Sequence, residues 1–270
     1  MLFLSAILWG FGITIQNISG QNLGSFTVTT IKTLGGFLIF IVALLTKQKF
    51  NKQAIIVGVV LGVVMFAGNV LQQIGIVYST IGKASFITAL YVVFVPILGL
   101  FFGNKTKMHV WVGIGIAAIG TYFLCINETF ILQLGDITLF LCAIVFGLQI
   151  VIIGKYVNDV DPIALAAVQT ITACVLSGIC MFIFETPDIN VIKDVWLELA
   201  YVCLLSCAFG TTSQIIFQQY VEPSTAGIIM SFESVFGVIG GFLILHQTLT
   251  VREMFGCILI FIAVLIAQKE

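Results

Sequence analysis

Residues Ala54 to Gly103 read AIIVGVVLGVVMFAGNVLQQIGIVYSTIGKASFITALYVVFVPILGLFFG and carry a single formal charge, Lys83. Spanning the hydrocarbon of a bilayer takes about 20 mostly apolar residues, and this stretch holds two such runs, 54–77 and 80–103, parted only by a tight polar turn. A turn this short leaves no room for a soluble domain. Working outward, runs of the same kind occur at 2–18, 25–46, 108–126, 135–157, 162–184, 195–219, 223–245 and 251–268. The expected fold is therefore all-α, a polytopic membrane protein of ten transmembrane helices.

Composition agrees. Of 270 residues 60% are hydrophobic and 9% are charged, against the roughly 25% charged that a soluble domain carries. So few charges cannot coat a water-facing surface, whereas a lipid-facing one needs none. The net charge of -1 is what remains of a few loop residues and gives no hold for nucleic acid. Seven cysteines (Cys125, Cys142, Cys174, Cys180, Cys203, Cys207 and Cys257) lie in apolar runs without CxxC spacing or neighbouring histidines, so they read as small packing hydrophobes, not as disulfides or metal ligands. No metal or other cofactor is expected. Met1 runs straight into an apolar segment without a basic region or small-residue cleavage site, so no cleaved signal peptide is expected.

The breaks between runs hold most of the charge, and their lysine bias sets the orientation. With the N-terminus inside, Lys47, Lys49, Lys52, Lys105, Lys107, Lys155 and Lys269 fall on the cytoplasmic side, and Lys83, Lys193 and Arg252 outside. Both termini are then cytoplasmic, in the cell (plasma) membrane.

The two parts of the chain also resemble each other. SAILWGFGITI from Ser5 aligns with CAIVFGLQIVI from Cys142, and GNVLQ from Gly68 aligns with GTTSQ from Gly210, which pairs Lys32 with Gln169, Gln72 with Gln214 and Tyr91 with Glu233. Two five-helix copies, 1–126 and 135–268, account for this. Five is odd, so the second copy enters the membrane from the opposite side and the halves are inverted repeats, an arrangement that exposes a central site alternately to either side.

Several segments carry a family resemblance: AILWGFG from Ala6, LQQIGIVYSTIGKASFITALYVVFVPILG from Leu71, VQTITA from Val168, SFESVFGVIGGFLIL from Ser231 and REMFGCILIF from Arg252. Together they resemble the drug/metabolite transporter superfamily, in its EamA-like branch, along the whole chain. The resemblance implies a transporter. Two positions depart from the family's habit: Lys32 stands where arginine is common, keeping the charge but losing the planar fork, and His246-Gln247 stands where Gly-Glu often joins the ninth and tenth helices.

Within the runs only Lys32 and Glu233 are charged far from an end. Intramembrane charge costs at least about 2.5–3.5 kcal/mol, so each needs a partner. At 1.5 Å rise per residue, Lys32 lies about 10 Å from the outer end of its helix and Glu233 about 15 Å from the inner end of its own, depths that permit pairing. Each serves either a substrate or proton site, or a structural ion pair, with an outward-snorkelling lysine as a further option. Asn69, Gln72 and Gln73 share one helix face, as do Thr211, Gln214 and Gln218. Such amides either line a cavity or hydrogen-bond helix to helix. Trp9, Tyr91, Gln149 and Gln169 complete the candidate lining, with core packing the alternative for the aromatics. The glycines, including Gly58, Gly62, Gly113, Gly120 and Gly237, read as close helix contacts, and Pro96 is expected to kink its helix.

The substrate-binding candidates are thus Lys32, Gln72, Tyr91, Gln169, Gln214, Glu233, Trp9 and Asn69. They fit a secondary carrier of a small organic metabolite, with the bilayer as its medium, proton or other ion coupling open, and a monomer or homodimer as the assembly. No GxxxxGK[ST] loop is present for ATP. A channel or non-transporting membrane subunit is the runner-up. An intramembrane lipid-modifying enzyme needs an acid/base cluster that the lone His109 and His246 do not supply.

Overall fold

The computed structural model describes residues 1–103, 106–125, 133–245 and 250–267. Among them no strand occurs and helices account for nearly all of the chain. Eight helices are long and apolar enough to cross a membrane: α1 Leu2–Gly20, α2 Ser25–Leu45, α3 Lys52–Val77, α4 Ile81–Phe101, α6 Leu134–Tyr156, α7 Pro162–Phe184, α8 Trp196–Gln218 and α9 Pro223–Ile244. Two more, α5 Met108–Cys125 and α10 Val251–Ala267, are apolar but shorter. A short helix, Ile189–Asp194, lies between α7 and α8. The expected Lys105, Lys269 and His246-Gln247 features lie outside the described residues.

Local chemistry starts several helices where the sequence breaks. Asn51 accepts from Ala54 N–H at 2.7 Å at the head of α3, and Asp161 accepts from Ile163 and Ala164 N–H at 3.0 Å ahead of Pro162, a capped helix with proline in the first turn. Large apolar side chains face outward along the helices, among them Phe37, Ile41, Leu45, Val59, Phe182 and Phe261. Such a surface suits lipid and not water.

Three helices expected to be continuous are interrupted. α2 divides into Ser25–Thr33 and Gly35–Leu45, α4 into Ile81–Ala89 and Tyr91–Phe101, and α9 into Pro223–Met230 and Phe232–Leu245. Hydroxyl side chains that bond back to carbonyls of the preceding turn bend helices. Thr29, Thr30 and Thr33 do this before the α2 break, and Ser231 and Ser234 do so around the α9 break. In α4 the interruption falls at Leu90, and Pro96 sits within the following helical segment, so the irregularity is not at the proline turn itself. The middle of α8, Tyr201–Thr211, is π-helical, a wide turn that is rare and frequent at functional sites.

α3 packs on both α6 and α7, α1 on α9, and α5 on α10. Each of these contacts joins a helix from the first part of the chain to one from the second. The α1–α9 contact is closest at Gly10, where a Cβ would lie 2.5 Å from the Glu233 carbonyl oxygen and 2.5 Å from Phe236 Cβ. No larger residue fits without parting the two helices.

Candidate functional site

Where α1, α2, α3, α4, α6, α8 and α9 converge, they line a cavity of about 70 Å³. Its walls come from both parts of the chain. α1 supplies Trp9 and Gln16, α2 supplies Lys32, and α3 supplies Met65, Asn69 and Gln72; Tyr91 comes from α4, just after the Leu90 interruption. From the second part come Phe146, Gln149 and Ile150 of α6, Ser206, Thr211 and Gln214 of α8, and Glu233 of α9.

Seven of the eight candidate residues therefore stand around one cavity: Trp9, Lys32, Asn69, Gln72, Tyr91, Gln214 and Glu233. Gln169 does not. It is fully buried in α7, with neither amide atom hydrogen-bonded among the described residues, because its turn packs against the Gly58 and Gly62 face of α3. The other amides of the two polar faces divide between both expected roles. Asn69, Gln72 and Gln214 face the cavity, whereas Gln73 Nε2 donates to the Gln16 carbonyl at 3.1 Å and Gln218 Nε2 to the Ile150 carbonyl at 2.6 Å, holding helices together.

Lys32 is 7% exposed and its ammonium donates to Gln16 Oε1 at 3.0 Å and to Asn69 Oδ1 at 2.9 Å. Two amide dipoles thus replace water around it. Glu233, 4% exposed, makes no ion pair with Lys32. The direct Lys32–Glu233 pair that matching depths permit is absent from this conformation, since amides from α1 and α3 take the ammonium first. The Tyr91 hydroxyl and the Glu233 carboxyl face each other at the cavity wall, and Asn69 Nδ2 and the Ser206 hydroxyl border the cavity without a hydrogen-bond partner among the described residues. Trp9 is fixed by its Nε1–H, which donates to the Ser206 carbonyl at 2.9 Å.

Buried polar atoms are nearly always paired, so the unpaired Asn69 Nδ2 and Ser206 hydroxyl beside the facing Tyr91 and Glu233 mark a place for a polar guest or water. Both hydrogen-bond senses are offered: donors at Asn69 and Lys32, an acceptor at Glu233, and hydroxyls that serve either way. Gln16 and Ser206 were not candidates on sequence. Gln16 lies two turns from Trp9 on the same face of α1, a signal that its place near the end of an apolar run obscures.

The sequence profile described as the EamA-like transporter family matches residues 1–126 and 133–268. The chain belongs to this family. Relatives named as uncharacterized transporters bear this out: one from Archaeoglobus fulgidus is 31% identical, covering 99% of this chain and 84% of that protein, and YoaV of Bacillus subtilis is 21% identical over 94% and 90%. A solved crystal structure at 16% identity superposes with a TM-score of 0.80 and covers 99% of this chain and 95% of that one, which places the EamA-like protein in a known fold. It is a multi-pass membrane protein of a transporter family.

Proposed function

We propose that this EamA-like protein is a secondary carrier that moves a small organic metabolite across the cell membrane by alternating access. The two units are 1–126 and 135–268, each of five membrane-crossing helices, related by inversion, with both termini in the cytoplasm. α5 and α10 complete the count: at 18 and 17 residues and 1.5 Å rise each, they approach the thickness of a ~30 Å hydrocarbon core. The central site is formed by Lys32, Gln72, Gln214 and Glu233, with Trp9, Asn69 and Tyr91 beside them.

The observation that carries this reading is the cavity itself. It lies between helices of both units, its lining is amphoteric, the Tyr91 hydroxyl and Glu233 carboxyl face each other in its wall, and Asn69 Nδ2 and the Ser206 hydroxyl have no partner among the described residues. Each such atom costs about 1–3 kcal/mol when neither a guest nor water meets it. In a carrier they are the groups that a solute satisfies. Since α1, α3, α6 and α8 all contribute, relative motion of the two units changes which side reaches the site.

The test starts from a thermal-shift screen of purified protein against a metabolite library, since a ligand stabilises the state it binds. The hit is then used for counterflow in proteoliposomes. A carrier accumulates labelled solute transiently against excess unlabelled solute inside; a channel or a non-transporting subunit gives no overshoot.

A further inference from the structure

The first segment of α2, Ser25–Thr33, is a short rod fixed at both ends by different means. Its N-cap is Gly24, which has no side chain to cap the exposed N–H groups. Glu185, at the end of α7, does so instead. One carboxylate oxygen accepts from Phe26 N–H at 2.9 Å, and the other accepts from Thr27 N–H at 2.7 Å and from the Thr27 hydroxyl at 2.7 Å. A carboxylate on a helix N-terminus is favoured by charge as well as by hydrogen bonding. Gly24 is what admits it, because a Cβ there would overlap the Glu185 carboxyl group.

At its other end the rod stops at Leu34, after three threonines that bond back to the preceding turn. Gly35 and Gly36 follow, pressed against the Cys203 carbonyl and against the Thr170–Ile171 backbone. Between the two ends, in the last turn of the rod, stands Lys32, whose ammonium lies in the cavity. Along its length the rod meets α7 through weaker polar contacts, Thr33 to Ser177 at 3.4 Å and Cys174 to the Thr30 carbonyl at 3.8 Å. The counterpart helix α7 is continuous over 23 residues and is capped by its own Asp161. The device therefore exists on one helix of the pair only.

We propose that Ser25–Thr33 is a gate arm, pivoting at Leu34–Gly35 and latched shut by Glu185, so that opening the Gly24 end of the bundle displaces Lys32 from the central site. This rests on the carrier reading of the cavity and adds to it which segment moves and what holds it. A second joint closes the same end: Lys83 pairs with Asp136 at 2.7 Å while Ser79 donates to the same carboxylate at 3.2 Å, tying the α3–α4 turn to the head of α6. Under the proposed topology this end faces outside.

Spin labels at exposed Asn22 and Ile137 report the distance from the turn that leads into the arm to the head of α6 in purified, solute-free protein whose native cysteines have been replaced. Glu185→Gln and, independently, Gly24→Ala are expected to raise the ratio of displaced to latched populations by about tenfold, the change equal to losing ~1.4 kcal/mol of charge-assisted bonding. Thr27→Val, which removes one of the three bonds and spares the carboxylate, should give a smaller rise. Asp188→Ala removes the cap of the neighbouring short helix, a 2.8 Å bond to Asn190 N–H, and should leave the distribution unchanged. Distributions for Glu185→Gln and Gly24→Ala that superimpose on the parent overturn the latch, and so does an equal shift in Asp188→Ala. No solute enters the measurement, so a negative result here leaves counterflow to decide the carrier reading separately.

Discussion

Lys32 donates to Asn69 Oδ1 at 2.9 Å across the α2–α3 contact, and this bond, with its partner at Gln16, is how an ammonium is held at cavity depth without a carboxylate. The Asn69 amide keeps its own Nδ2 unpaired among the described residues, beside the cavity. One side chain thus both steadies the lysine and offers a donor to a guest.

Breaking that arrangement from either side is costly. Asn69→Leu leaves a buried ammonium short of an acceptor, and Lys32→Met leaves two buried amide oxygens without a donor; each change is expected to destabilise the protein by about 1–3 kcal/mol. The double variant Lys32→Met/Asn69→Leu should cost less than the sum of the two. Unfolding measurements on the four proteins of this cycle check the coupling, and strict additivity would show that the bond carries no stability.

The α1–α9 contact at Gly10 admits no side chain, so Gly10→Ala should lower the melting temperature and weaken any ligand-induced thermal shift, because it pushes Glu233 away from Trp9 and Gln16. Overpacking of this kind costs about 1–3 kcal/mol. Gly115 is the internal control: a Cβ there meets nothing within 4 Å, so Gly115→Ala should melt like the parent. Equal behaviour of the two variants would remove the close contact from the account.

The helical rods were legible because hydropathy alone decides them; the ends of α3, α4 and α7 fall within a few residues of the sequence expectation. The interruptions at Leu34, Leu90 and Ser231 were not. They depend on hydroxyls choosing a backbone carbonyl over a neighbouring helix, which no hydropathy pattern records. Polar type and helical spacing set Asn69, Gln72 and Gln214 on faces that the structure turns to the cavity. Gln169 stands away from it because the rotation of α7 about its own axis is set by Gly58 and Gly62 of α3, a contact far away in sequence. Glu185 read as an ordinary loop charge for the same reason: its partners lie about 160 residues earlier and become neighbours only once α2 and α7 pack.

Topology gives a further test. Under the proposed topology Lys47, Lys49 and Lys52 face the cytoplasm, so Lys49→Cys should react with a membrane-impermeant maleimide only in inside-out vesicles. Reaction exclusively in right-side-out vesicles would reverse the orientation and with it the side on which Glu185 stands.

Under the proposed function Glu233 faces the solute and is not a structural partner of Lys32. Uptake and melting temperature of Glu233→Gln test it most directly. The replacement is neutral and close in shape, and no ion pair to Lys32 is lost with it, so a melting temperature near that of the parent together with loss of transport is expected. Normal uptake with an unchanged pH profile would contradict the claim, whatever the variant does to stability.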